Sequence, residues 1–129
     1  MTDGRRLTEE QAARVVAIAM DLARAGETDQ LADFLDHGLP VDVLDPAGNS
    51  LLMLAAYHGR AATVRLLLER GADPDTRNAR DQSPIAGALF KGEDEVVAVL
   101  LEAGADVDAG TPSAREAAAL FGRGHLLER

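Results

Sequence analysis

The chain has 129 residues, the length of one domain able to bury about two-thirds of its unfolded surface. Its 47% apolar and 27% charged residues exclude wholesale disorder, and its lack of cysteine excludes disulfides, thiolate nucleophiles and thiolate metal sites. A net charge of -9 argues against nucleic acid as a partner, because that affinity rests on Lys and Arg clusters that release counterions.

The amino end, MTDGRRLTEEQAARVV, carries charge where a secretory signal needs an apolar run. No stretch reaches the ~18 apolar residues of a membrane span. The expectation is a soluble, unexported, cytoplasmic protein with no membrane contact. Thr8 with Gln11 reads as a capping box that opens a long first helix. The segment GLPVDVLDPAGN follows as a reversing turn, rich in Gly, Pro, Asp and Asn.

From Ser50 to His58 the residues are small and helix-forming, with Ser50 as N-cap and Gly59 able to end the run in the left-handed conformation. A second helix spans Ala61 to Arg70. Val64, Leu67 and Leu68 share one of its faces, Arg65, Glu69 and Arg70 point to water, and Gly71 stops it. GADPDTRNARDQ, Gly71 to Gln82, is the next reversing turn.

These elements recur. Gly26, Gly59 and Gly92 are 33 apart, as are Gly38, Gly71 and Gly104, Asp42, Asp75 and Asp108, and Leu35, Leu68 and Leu101. A fixed period over three cycles means that one supersecondary unit is stacked, since each unit buries its core only against its neighbours. Phe34, Tyr57, Phe90 and Phe121 are the only aromatics, so Leu, Val and Ala must build that core, as in closely packed helices.

GNSLLMLAAYHGRAATVRLLLERGADPD and DQSPIAGALFKGEDEVVAVLLEAGADVD resemble the ankyrin repeat, whose pattern is G-x-T-P-L-H-x-A-A-x-x-G followed by V-x-x-L-L-x-x-G-A-D. The resemblance extends back through ARAGETDQLADFLDHGLPVD and forward into SAREAAALFGRGHLLER, from about residue 12 onward. It implies an all-α ankyrin-repeat solenoid of helix-turn-helix units joined by hairpin-like turns, in one domain over 1–129. An N-terminal cap at about 8–37 precedes repeats at about 38–70 and 71–103, and a C-terminal cap runs over 104–129. Two departures stand out. Ser-Leu-Leu-Met and Ser-Pro-Ile-Ala replace T-P-L-H, leaving the caps to Ser50 and Ser83, and the turn between Asp108 and Ser113 is about three residues short, which predicts a missing last finger.

The resemblance further implies a concave surface made of turn tips and short-helix ends. Here those positions are Pro46, Ala47, Asn49, Tyr57 and His58 in one unit, and Ala79, Arg80, Gln82, Phe90 and Lys91 in the next. Arg24 and Leu120 continue the Tyr57–Phe90 register on either side, and Arg77 falls beside it. Exposed aromatics flanked by Arg and Lys are the composition of a binding hot spot, whereas Phe90 and Tyr57 could instead fill gaps between repeats. The acids are expected elsewhere: Glu27, Asp29, Glu93, Asp94 and Glu95 at helix starts, where they complement the dipole.

Chemistry finds little support. Asp73/Asp75 and Asp106/Asp108 could suggest paired catalytic carboxylates or a Ca²⁺ loop, but they recur once per unit, as turn residues accepting backbone N–H bonds do. His37, His58 and His125 fall in separate units without metal-ligand spacing, and His125 with Glu128 is a weak pair on a terminal helix. No catalytic residue, cofactor or metal is expected. The function expected is a non-enzymatic, monomeric module or scaffold that binds a protein partner. The alternative is an acidic inhibitor or immunity-type protein that neutralises a basic effector by charge.

Overall fold

The computed structural model describes residues 8–127. The charged amino-terminal stretch up to Leu7, and Glu128, lie outside the described residues.

Thr8 opens α1 (Glu9–Ala25) with the capping box that its spacing predicts: its Oγ1 accepts from the Gln11 N–H, and Gln11 Oε1 accepts from the Thr8 N–H, both at 3.0 Å. Gly26 at φ 75° turns the chain into α2 (Thr28–Asp36). The same pattern then repeats as α3 (Leu51–Tyr57) with α4 (Ala61–Glu69), and α5 (Pro84–Lys91) with α6 (Asp94–Glu102). A last short helix, α7 (Ala114–Leu120), pairs with a 3-10 turn over Gly124–Leu127. Among the described residues there is no strand, only an isolated bridge between Leu44 and Ser50.

Two rows of helices result. In the inner row α1, α3, α5 and α7 pack in succession, and behind it α2, α4 and α6 do the same. Buried alanines at Ala19, Ala23, Ala55, Ala56, Ala86, Ala88, Ala117 and Ala118 keep the inner row slim. The bulk comes from Met20, Leu31, Leu51, Leu52, Leu67, Ile85, Leu89 and Leu100, all fully buried, each worth about 1.5–3 kcal/mol of transfer free energy. Thr63, also fully buried, satisfies its hydroxyl against that of Thr28 one unit away, at 2.8 Å. This is the all-α solenoid of stacked helical pairs that the resemblance implies.

The connections are fingers stitched by their own polar side chains. Asp45 Oδ1 accepts from the Ala47 and Asn49 N–H groups, and Asn78, one period later, accepts through Oδ1 from Arg80 and Gln82. Asn78 Nδ2 donates at 2.8 Å to both Asn49 Oδ1 and Gln82 Oε1, tying one finger to the next. The Ala79 N–H reaches Ala47 O, an approach so close that a Cβ on Gly48 would stand 2.8 Å from Ala79 N. The shortened third connection makes a tight turn, whose Thr111 donates its N–H to Asp81 O and its hydroxyl to Asp81 Oδ2.

The repeating aspartates form a ladder across the turns. Asp42 Oδ1 accepts from the Asp73 N–H and Asp75 Oδ1 from the Asp106 N–H, while Asp73 and Asp106 accept from the N–H two residues on. Arg115 donates to Asp108, and that hydrogen bond is the main cause holding the Asp108 carboxyl below its ordinary range.

Candidate functional site

The fingers and the ends of the inner helices enclose a groove of about 460 Å³. Its lining brings together Asn49, Tyr57, His58, Arg80, Gln82 and Phe90 from the sequence-derived set, along with Arg24. Met53, Leu54 and Asn78 complete it. Lys91 joins from above, its Nζ 5.1 Å from the centre of the Tyr57 ring, within reach of a cation–π attraction. Ala79 is exposed at a finger tip. Ala47 contributes the carbonyl that receives the Ala79 N–H, so its backbone serves the stitching. Pro46 faces elsewhere, into a separate groove of about 500 Å³ shared with Met20 and Leu44 beside α1. A third groove, of about 590 Å³, opens at the amino-terminal end of the stack between Val15, Val16, Phe34 and Val43.

Tyr57 is half-buried and edge-on to His58, with ring centres 5.5 Å apart. Room for it comes from Gly87, where a Cβ would meet Met53 Cε at 2.9 Å and Tyr57 Cδ1 at 3.4 Å. Phe90 fills no gap between repeats: it is 64% exposed and touches Phe121 edge to face. Leu120, in register with Phe90, is 77% exposed, so α5 and α7 together display an apolar ledge.

Charge in the groove departs from a plain basic stripe. Arg24 is held by Asp21 at 2.7 Å and lies 4.0 Å from Asp45, so two acids stand at the amino-terminal end of the surface. Arg77 is paired with Asp81 at 3.2 Å and does not line the groove. Burial of the ring, followed by the nearby charges of Arg24, Lys91 and Arg60, holds the His58 imidazole below its ordinary pKa, with Glu93 acting in the opposite sense. Three cations and one acid thus act on His58 in a chain of net charge -9.

Met53, Leu54 and Asn78 in the groove, and Phe121 beside Phe90, are the residues that periodicity overlooks. Asn78 shares the phase of Asp45, and that signal alone could have placed it at a finger. Among the described residues, no group of three or more His, Asp or Glu side chains could hold a metal ion. No helix among them is long and apolar enough to cross a membrane.

Comparison with known proteins agrees with the architecture. A family model described as ankyrin repeats, in three copies, matches residues 19–111. Over 46 residues the chain is 54% identical to a putative ankyrin repeat protein of Pseudomonas aeruginosa, covering 36% of this chain and 27% of that one. Over 60 residues it is 42% identical to a putative ankyrin repeat-containing protein of Treponema pallidum, covering 46% and 20%. Over 74 residues it is 35% identical to oxysterol-binding protein-related protein 1 of Homo sapiens, covering 56% and 8%. The chain thus spans less than a third of each of these relatives' length.

Proposed function

The chain belongs to the ankyrin-repeat family, and on that premise we propose that it is a non-enzymatic module that grips a partner protein in the groove between its fingers and inner helices. Ankyrin repeats are general protein–protein interaction modules. The observation that carries the reading is the meeting of Tyr57, Phe90 and Arg80 in one groove, with Lys91 set over the Tyr57 ring. Aromatic and Arg side chains are the residues that dominate interface energetics. A contact of the standard ~800 Å² per partner would take most of this face, so affinity rests on few anchors.

The acidic-inhibitor alternative would place the contact on acids of the outer surface. Three of those acids are already engaged, Asp36 by Arg70 at 2.7 Å, Glu95 by Arg65 at 3.0 Å and Asp94 by Arg123, and among the described residues that surface gathers no aromatic anchors as the groove does. The groove is favoured.

The test is site-directed photo-crosslinking in the native lysate. A benzoylphenylalanine at Ala79, on a finger tip, should form protein adducts that vanish when Tyr57→Ala and Phe90→Ala are added. The same probe at Ala98, exposed on α6, should not. Equal adducts at both positions, or adducts indifferent to the double substitution, would discard the groove.

A further inference from the structure

The cations of this chain are not all alike. Arg14, Arg24, Arg65, Arg70, Arg77, Arg115 and Arg123 each have a carboxylate within 4.0 Å. Among the described residues Arg60, Arg80 and Lys91 have none, and all three stand at the same groove: Arg80 lines it, Lys91 stands over Tyr57, and Arg60 Nε donates at 2.8 Å to the carbonyl of Arg24, a lining residue. A chain with 22 acids and 13 bases pairs its cations readily, so leaving these three without acids makes a local excess of positive charge. Beside it lies the ledge of Phe90, Leu120 and Phe121, respectively 64%, 77% and 48% exposed. Such adjacent exposed apolar side chains mark a contact surface.

We propose that the groove receives an extended acidic segment of a partner protein, its carboxylates over Arg80 and Lys91 and an apolar side chain on the Phe90–Leu120–Phe121 ledge. This rests on the groove being the binding face. Charge complementarity selects the occupant: carboxylates repair the missing pairs, and a basic segment would meet repulsion from Arg60, Arg80 and Lys91 together. Size agrees. From the Tyr57 register to the Leu120 register is two helix spacings of 8–10 Å, about 20 Å in all, which an extended chain crosses in about six residues. Peptide is preferred over nucleic acid because the net charge of -9 repels a polyphosphate backbone beyond the groove.

The test is selection from a displayed library of random peptides against the whole protein. Enriched sequences should carry clustered Asp or Glu followed or preceded within about six residues by Leu, Ile or Phe. Their affinity should drop about tenfold in the Arg80→Glu, Lys91→Glu double variant, and by a similar factor in Phe90→Ala. All three side chains are exposed, so these variants should keep the helical circular-dichroism spectrum and thermal midpoint of the parent. Enrichment of basic or uncharged peptides, no enrichment, affinity indifferent to the charge reversal, or displacement by a single-stranded oligonucleotide would overturn the proposal. If Ala79 crosslinks a partner while the selected peptides are neutral or basic, the face stands and the acidic partner falls. If neither binds, both fall.

Discussion

Phe121 meets the ring of Phe90 edge to face, centroids 5.7 Å apart and planes at 77°, although Phe90 is 64% and Phe121 48% exposed. Such a pair contributes about 0.5–1.5 kcal/mol beyond burial when packed, and the low end applies to rings this exposed. Its cost in unpaired apolar surface makes sense as a platform for a partner. Phe121→Ala should therefore lower stability by only about 0.5 kcal/mol while weakening partner binding by about 2 kcal/mol, a hot-spot loss. Denaturant titration and a binding isotherm on the same variant check it. A stability loss larger than the binding loss would make the pair a structural clasp.

Much of the fold is legible because stacking imposes phase. Gly26, Gly59 and Gly92 all adopt positive φ, from 73° to 75°, and each lies just past an inner helix. Ser50 and Ser83 both begin helices. A residue repeated every 33 positions answers to a backbone need that recurs, and those needs can be read off one sequence. Contacts between unlike residues cannot. Phe121 lies one residue out of the Phe90 register, in the unit whose finger is shortened, so periodicity points to Leu120 instead. Asp21 reaches Arg24 within one helix turn, a neutralisation that depends on rotamers and not on phase. Pro46 and Ala47 share a finger with Asn49, yet the turn sends only Asn49 into the groove.

The serine caps carry the inner row without histidine support. Ser83 is fully buried, and its Oγ accepts from the Ala86 N–H at 3.2 Å at the start of α5, which packs on both α3 and α7. Ser83→Ala should cost about 1–2 kcal/mol, at the upper end of the N-cap range because the freed N–H is buried. For a chain of this length that is a fall in thermal midpoint of about 3–6 °C. Ser83→Thr should recover most of it, since Thr also caps. A midpoint unmoved by Ser83→Ala would deny the hydroxyl its structural role.

The aspartate ladder is expected to behave as backbone stitching. Asp75 Oδ1 takes the Asp106 N–H at 2.7 Å, linking two successive turns. Removing it in Asp75→Ala should cost about 0.5–1 kcal/mol, the lower part of the hydrogen-bond range because water can reach the exposed amide. Asp75→Asn keeps an amide oxygen in the same place and should restore most of that. Added Ca²⁺ should leave the thermal midpoint of the parent unchanged, whereas a rise of several degrees would mean that these carboxylates bind the ion.

His58 reports the field of the groove. Burial comes first among the causes that lower its pKa from 6.5, followed by Arg24, Lys91 and Arg60; Glu93 raises it. Between the lowered folded value and 6.5 the unfolded chain binds more protons than the folded one. The stability contribution of neutral His58 is thus complete above 6.5 and is lost as the pH falls through the folded midpoint. Lys91→Gln and Arg60→Gln should each move the NMR titration midpoint of the His58 Hε1 proton up towards 6.5, and Glu93→Gln should move it down. An acidic peptide seated in the groove adds negative charge beside the same ring. It should raise the midpoint, so its binding takes up a proton and tightens as the solution is acidified below 6.5 while the peptide carboxylates stay ionised. A peptide that leaves the His58 midpoint in place, or a Lys91→Gln variant that lowers it, would show that the cations around this ring do not set its charge.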